Sequence, residues 1–249
     1  MSNHLQHPFQ DVVGDKSPVQ QGIKTLWRLV ETQPLTKAAT EQSRLNAALV
    51  FTHLLGLMDS AGMINAAGYH SAAITLFRAI EDATDCFSAI ASSHDYAIMW
   101  QENRLKASEA AKQWTAHTSV NSQIAKPEYR KMIRDNLNKY SHCTPSQAHW
   151  NIYLESIGNS KCISKLNFKH QVINLNGYYI DRYLCIHILE LLEIVFDVYA
   201  PYFVEQEKTL IQLQEYHTEI EQIVKEFLEF IAREKLDVSI APEIARIKM

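Results

Sequence analysis

The sequence predicts an all-α fold, an antiparallel bundle of about seven helices. Three observations predict it. Of 249 residues, 47% are apolar while only 7 are glycine and 7 are proline, so a large core is available but the repeated tight turns of sandwiches and propellers are not. Apolar residues recur with a helical period over several long stretches. Two of the predicted helices begin behind a Ser or Thr followed by proline, a helix-start signal.

Residues 1–16 show no period and are expected to form an N-terminal arm. Ser17-Pro18-Val19-Gln20 then makes a capping-box pattern, and Val19, Ile23, Leu26, Trp27 and Val30 share one face of the first helix, which Pro34 stops. A second helix over 40–66 is apolar nearly all round, as befits the middle of a bundle, and its small residues, including Gly56, Ala61 and Gly62, allow neighbours to approach closely. Gly68 marks a bend. The third helix, over 69–92, carries Ala73, Leu76, Phe77, Ile80, Ala83, Phe87 and Ile90 on one face and should return antiparallel to the second.

Ser93 is placed to cap a fourth helix over 94–117, apolar early and polar later, with its far end projecting or on the surface. After a polar link over 118–125, a fifth helix runs from Pro127 to about residue 140. Thr144-Pro145-Ser146-Gln147 repeats the capping box, which sets His142 and Cys143 in a corner between two helices. Within 158–176, Leu166, Phe168, His170 and Val172 alternate with polar residues, enough for at most a small β ribbon or an ordered loop. Helices over 178–202 and 204–235 complete the chain. The last has a narrow stripe that includes Leu213, Ile220, Val224 and Phe227, suited to the outside of the bundle or to a second subunit. Residues 17–236 are thus expected to form one domain, a core over 40–157 with C-terminal helices over 178–236, followed by a tail over 237–249.

With 24 basic and 28 acidic residues, the net charge of −4 provides no field for DNA, and no DNA partner is predicted. The four cysteines include no CxxC pair and read as reduced thiols, pointing to the cytoplasm. The opening MSNHLQHPFQ lacks a signal peptide's basic and apolar regions. The apolar run over 186–203 is broken by His187, Glu190, Glu193 and Asp197, so no membrane association is expected. No HExxH, ExxH, GxSxG, P-loop or GxGxxG pattern occurs, which argues against classical metallohydrolase, serine-hydrolase and nucleotide-fold chemistry. Neither a cofactor nor a metal is predicted. His187 and Glu190, three apart, are the reverse of a metal-binding ExxH pair and read first as a helix-surface pair, with a metal as the lesser reading.

The third helix holds the most informative polar set. Arg78 lies within an apolar run, with Glu81, Asp82 and Asp85 following at i+3, i+4 and i+7. A guanidinium in a core is too costly to leave unpaired, so one of these carboxylates should hold it, and the surplus acid would mark a polar cavity completed by a ligand or second cation. A structural ion pair is the simpler alternative. The second set is Tyr140, Ser141 and His142, where the corner histidine either caps helix-terminal carbonyls or titrates as an acid or base. The basic residues of the fifth helix, Arg134 among them, read as a solvated face ahead of a phosphate-binding one. His53 and His70 read as core or boundary residues.

The phrase Leu76-Phe77-Arg78-Ala79-Ile80-Glu81, followed by Tyr140-Ser141-His142 and a proline, resembles bacterial all-helical proteins allied to HEPN-type domains over roughly residues 45–150. Ribonucleases of that kind pair an arginine with a histidine four to six residues later at a dimer interface. Here Arg134 and His142 are further apart, so that motif is not reproduced. The resemblance implies a helical homodimer in which the Arg78 and His142 regions adjoin. The expected function is a binding or regulatory module using Arg78, Glu81, Asp82, Asp85, Tyr140, Ser141 and His142, with RNA or a small anion as ligand. Two alternatives are a metal-independent ribonuclease with His142 and Arg78 as catalytic residues, and a scaffold built on the long C-terminal helix.

Overall fold

The computed structural model describes residues 17–31, 42–117, 134–135, 137–138, 153–155, 165–167, 175–199 and 207–234. Among these residues the chain forms seven helices and one short ribbon: α1 (Pro18–Glu31), α2 (Gln42–Ala66), α3 (His70–Ser92), α4 (His94–Gln101), α5 (Ala107–His117), β1 (Tyr153–Glu155), β2 (Lys165–Asn167), α6 (Leu175–Tyr199) and α7 (Glu207–Glu234). The all-α bundle is therefore the observed fold. The ribbon is antiparallel with Leu154 opposite Leu166, so the alternating run supplies one strand and pairs with residues upstream of it. The arm, the link over 118–125, the Thr144 capping box, the corner holding Tyr140, Ser141, His142 and Cys143, and the tail lie outside the described residues.

Local signals account for the helix boundaries. Ser17 Oγ accepts the Gln20 N–H at 3.1 Å, satisfying one of the free donors of the first turn. At the end of α2, the Tyr69 N–H reaches the Ile64 carbonyl at 3.1 Å and the Gly68 N–H reaches Asn65 at 2.9 Å. This double closure needs a left-handed residue, and Gly68 supplies it with φ of 84°. The same device ends α4 without a glycine. The Arg104 N–H bonds to the Met99 carbonyl at 2.7 Å and the Asn103 N–H to Trp100 at 3.0 Å, with Asn103 at φ of 55°. Asparagine tolerates this conformation better than most side chains. It divides the single helix expected over 94–117 into two. Helix α5 packs along α3 through the fully buried Ala110, while Ser108 and Lys112 are exposed, so its described side chains lie at the surface of the bundle.

The centre of the bundle is formed by α2, α3 and α6. Helix α3 packs against α2, α4, α5 and α6, and α6 also packs against α1, α2 and α7. Phe51, Leu54, Leu55 and Met58 from α2 meet Phe77, Ile80 and Phe87 from α3 and Ile180, Leu184, Ile188 and Leu191 from α6. The stretch Leu45–Ala66 is long and apolar enough to cross a membrane by length and composition. Here its apolar side chains include the middle of the core. Helix α7 packs on α6 through Leu213, Tyr216, Ile220, Val224 and Phe227, so its apolar stripe is covered within the chain. Phe227 receives Tyr178, Tyr179 and Tyr183 edge-on, with centroids 6.2, 5.5 and 5.8 Å away. The Tyr216 hydroxyl donates to the Pro18 carbonyl at 2.9 Å and occupies space that a β-carbon on Gly22 would fill.

His70 belongs to this scaffold, as expected for a core histidine, whereas His53, given the same expectation, is exposed. The His70 Nδ1 lies 2.7 Å from Asn65 Oδ1, while Asn65 Nδ2 donates to the Gly177 carbonyl at 2.9 Å. The α2–α3 corner is thereby tied to the first turn of α6, which fixes the register between α3 and α6 on which the polar site depends.

Candidate functional site between α3 and α6

The buried side of α3 should be a continuous apolar stripe, and it is not. Phe77, Ile80 and Phe87 alternate with Glu81, Thr84, Asp85 and Ser88, all of them buried. Thr84 returns its hydroxyl to the Ile80 carbonyl at 2.8 Å, as a helical threonine can. Ser88 Oγ has no hydrogen-bond partner among the described residues. Glu81 and Asp85 are one turn apart, so both carboxylates leave the helix in nearly the same direction. Each is 0% exposed.

Opposite them, α6 presents His187 and Glu190 from within the apolar sequence Leu184–Leu192, and these are 3% and 1% exposed. The pair expected on a helix surface is thus in the core. Two carboxylates converge on one imidazole nitrogen: His187 Nδ1 is 3.2 Å from Glu190 Oε2 and 3.8 Å from Glu81 Oε1. The His187 ring lies against Phe77, with centroids 5.5 Å apart and planes at 51°, which limits its rotation. One ligand-type atom from each of Glu81, His187 and Glu190 falls within 4.8 Å of the others.

A second half of the cluster consists of ion pairs. Arg134, in a short helical segment whose Leu137 joins the core, pairs with Asp85. Its guanidinium is held below its ordinary pKa by burial, partly offset by the negative charges of Glu81 and Asp82 and reinforced by nearby Arg78. Arg78 pairs with Asp82 one turn along α3 at 3.1 Å, with side chains 28% and 35% exposed. Cys86, beside them, has its thiol pushed up to about 11 by burial and then by Asp82, which makes it a poor nucleophile.

The four residues predicted on α3 therefore do gather in one region, but the core cation is corrected. Arg78 is half-buried at the rim, held by its own i+4 neighbour, whereas the acids Glu81 and Asp85 are the groups drawn fully inward. The inward guanidinium is that of Arg134, expected on a solvated basic face; its side chain is 16% exposed. The physical reason is length: an arginine on a helix flank can turn its head toward solvent, but a glutamate or aspartate on the buried face has no such reach. Tyr140, Ser141 and His142 lie outside the described residues, as does the proposed proximity of His142 to Arg78. His187 and Glu190, expected first as a helix-surface pair with a metal as the lesser reading, join the cluster from α6. Both interrupt an apolar run, as Arg78 does.

Chemically, the arrangement brings four carboxylates (Glu81, Asp82, Asp85, Glu190), two guanidinium groups (Arg78, Arg134) and one imidazole together inside a helical interface. A single ring nitrogen offers at most one hydrogen. Glu81, His187 and Glu190 together make a donor set of two carboxylates and one imidazole, which can hold a cation. Comparison of the chain with protein families, with curated proteins and with solved structures yields no match.

Proposed function

We propose that this chain is a ligand-binding helical module whose site is the acid-rich cluster between α3 and α6. The observation that carries the reading is the burial of Glu81, His187 and Glu190 at one point of an interface that apolar side chains would otherwise fill. Taking a carboxylate out of water is expensive, and replacing buried charges with well-packed apolar groups is often neutral or stabilising. A fold gains little stability from such a group, so a binding role explains its placement better than architecture does. The donor set, two carboxylates and one imidazole gathered at one point, suits a cation better than RNA or a small anion. The engagement of Arg78 by Asp82 likewise weighs against the ribonuclease alternative, which asks a free guanidinium to steady a phosphate.

The test is the sign of a stability change in ligand-free protein. Glu190→Gln keeps shape and removes one buried charge, so it is expected to melt at or above the wild-type temperature, as sites kept for binding rather than stability do. If Glu190→Gln and Glu81→Gln both melt well below wild type, the acids are structural and the binding reading fails.

A further inference from the structure

We infer that Glu81, His187 and Glu190 form the binding site for one divalent transition-metal ion of the zinc class. The inference rests on the binding reading above and names its ligand. It begins with distance. Zinc holds imidazole nitrogen and carboxylate oxygen at about 2.0–2.1 Å, and tetrahedral geometry then sets ligand-to-ligand edges of about 3.4 Å. The two edges that share His187 Nδ1 are 3.2 and 3.8 Å, and all three ligand atoms lie within 4.8 Å of one another. Bringing them onto one ion takes only small side-chain movements.

The donor types agree with that distance. One imidazole and two carboxylates suit zinc and its first-row neighbours, whereas magnesium and calcium prefer an all-oxygen set. Coordination through Nδ1 requires that nitrogen to be unprotonated and leaves the ring hydrogen on Nε2. The backbone also preorganises the set. His187 and Glu190 sit three apart on α6, Glu81 faces them from α3, and the His70–Asn65–Gly177 link fixes the start of α6 against the α2–α3 corner. Phe77 limits the imidazole ring on its side. Arg134 and Arg78 make their direct contacts with Asp85 and Asp82, although the charge of Glu81 also acts on Arg134. Three protein ligands leave a tetrahedral ion one further position, the pattern of zinc sites that also bind a water or a second ligand.

The experiment uses full-length protein freed of metal by chelation and dialysis. Zinc chloride is titrated calorimetrically into wild type, His187→Ala, Glu81→Gln, Glu190→Gln and, as a surface control, the exposed His53→Ala. One zinc per chain is expected in wild type and in His53→Ala. Loss of a direct ligand should weaken binding by more than about 100-fold, the upper range for losing mere outer-shell partners. Should His187→Ala fail to fold, the two near-isosteric glutamine variants carry the test. The inference is overturned if wild type binds no zinc, or if both glutamine variants bind it as wild type does. Failure to bind zinc together with a Glu190→Gln that melts at or above wild type removes the metal and leaves the binding reading. Failure together with Glu190→Gln and Glu81→Gln that both melt well below wild type removes both.

Discussion

Replacing Asp85 with alanine separates the structural half of the polar cluster from the half assigned to ligand binding. Asp85 is 0% exposed and pairs with Arg134, whose side chain is 16% exposed. Removing the carboxylate leaves a guanidinium in the interface without the counter-charge it contacts. Breaking a buried pair in this way costs about 3–5 kcal/mol. The lower end applies here, because Glu81 and Asp82 still favour the charged guanidinium and the side chain retains some access to water. We therefore expect Asp85→Ala to lose about 3 kcal/mol, a large share of the stability of an ordinary domain. Removing both charges, as in Asp85→Leu with Arg134→Leu, should cost about 1 kcal/mol or less, because no stranded ion remains. Urea unfolding followed by circular dichroism and tryptophan fluorescence, with coincident transitions, would compare wild type, Asp85→Ala and the double leucine variant. An Asp85→Ala protein within about 1 kcal/mol of wild type would refute the claim that this pair is held together in the core.

Two further perturbations test the frame around the site. Phe227→Ala should cost about 3–5 kcal/mol in the same urea assay, because it removes a fully buried ring that three tyrosines meet edge-on; a loss of about 1 kcal/mol or less would show that α7 does not pack on α6 as described. Asp181 on α6 has its carboxyl raised from 3.8 to about 7 by burial, an effect only partly offset by Arg182. The folded protein therefore keeps a proton that the unfolded chain has already lost between about pH 4 and pH 7, so this group's contribution falls as pH rises through that window, by on the order of 4 kcal/mol. Asp181→Asn should flatten that decline, and urea midpoints at the two ends of the window that fall as steeply as in wild type would contradict it.

What the sequence disclosed, and what it withheld, follows from how local each cause is. The Ser17 cap and the Gly68 bend are decided by a few consecutive residues, and both are where capping and turn chemistry put them. The break at Asn103 has the same geometry as the one at Gly68 but relies on an asparagine, a residue that is common within helices and so gives a weaker signal. Helix α2 is apolar around its whole circumference, so periodicity located it in the centre without saying which face meets which neighbour. The polar site was half legible for the same reason. Glu81 and Asp85 stand out in α3 because they interrupt its stripe, but their partners come from residues about 50 and 100 positions away, and such pairings depend on helix register. Without that register, His187 and Glu190 look like an ordinary i, i+3 surface pair.

The central claim is that one point between α3 and α6 is built to receive a cation. The most direct measurement is anomalous diffraction at the zinc absorption edge from crystals of zinc-loaded protein. The account predicts a strong peak within about 2.0–2.1 Å of His187 Nδ1 and of one oxygen each from Glu81 and Glu190. Peaks found only at exposed histidines such as His53, with the three buried side chains still bonded to one another, would contradict it.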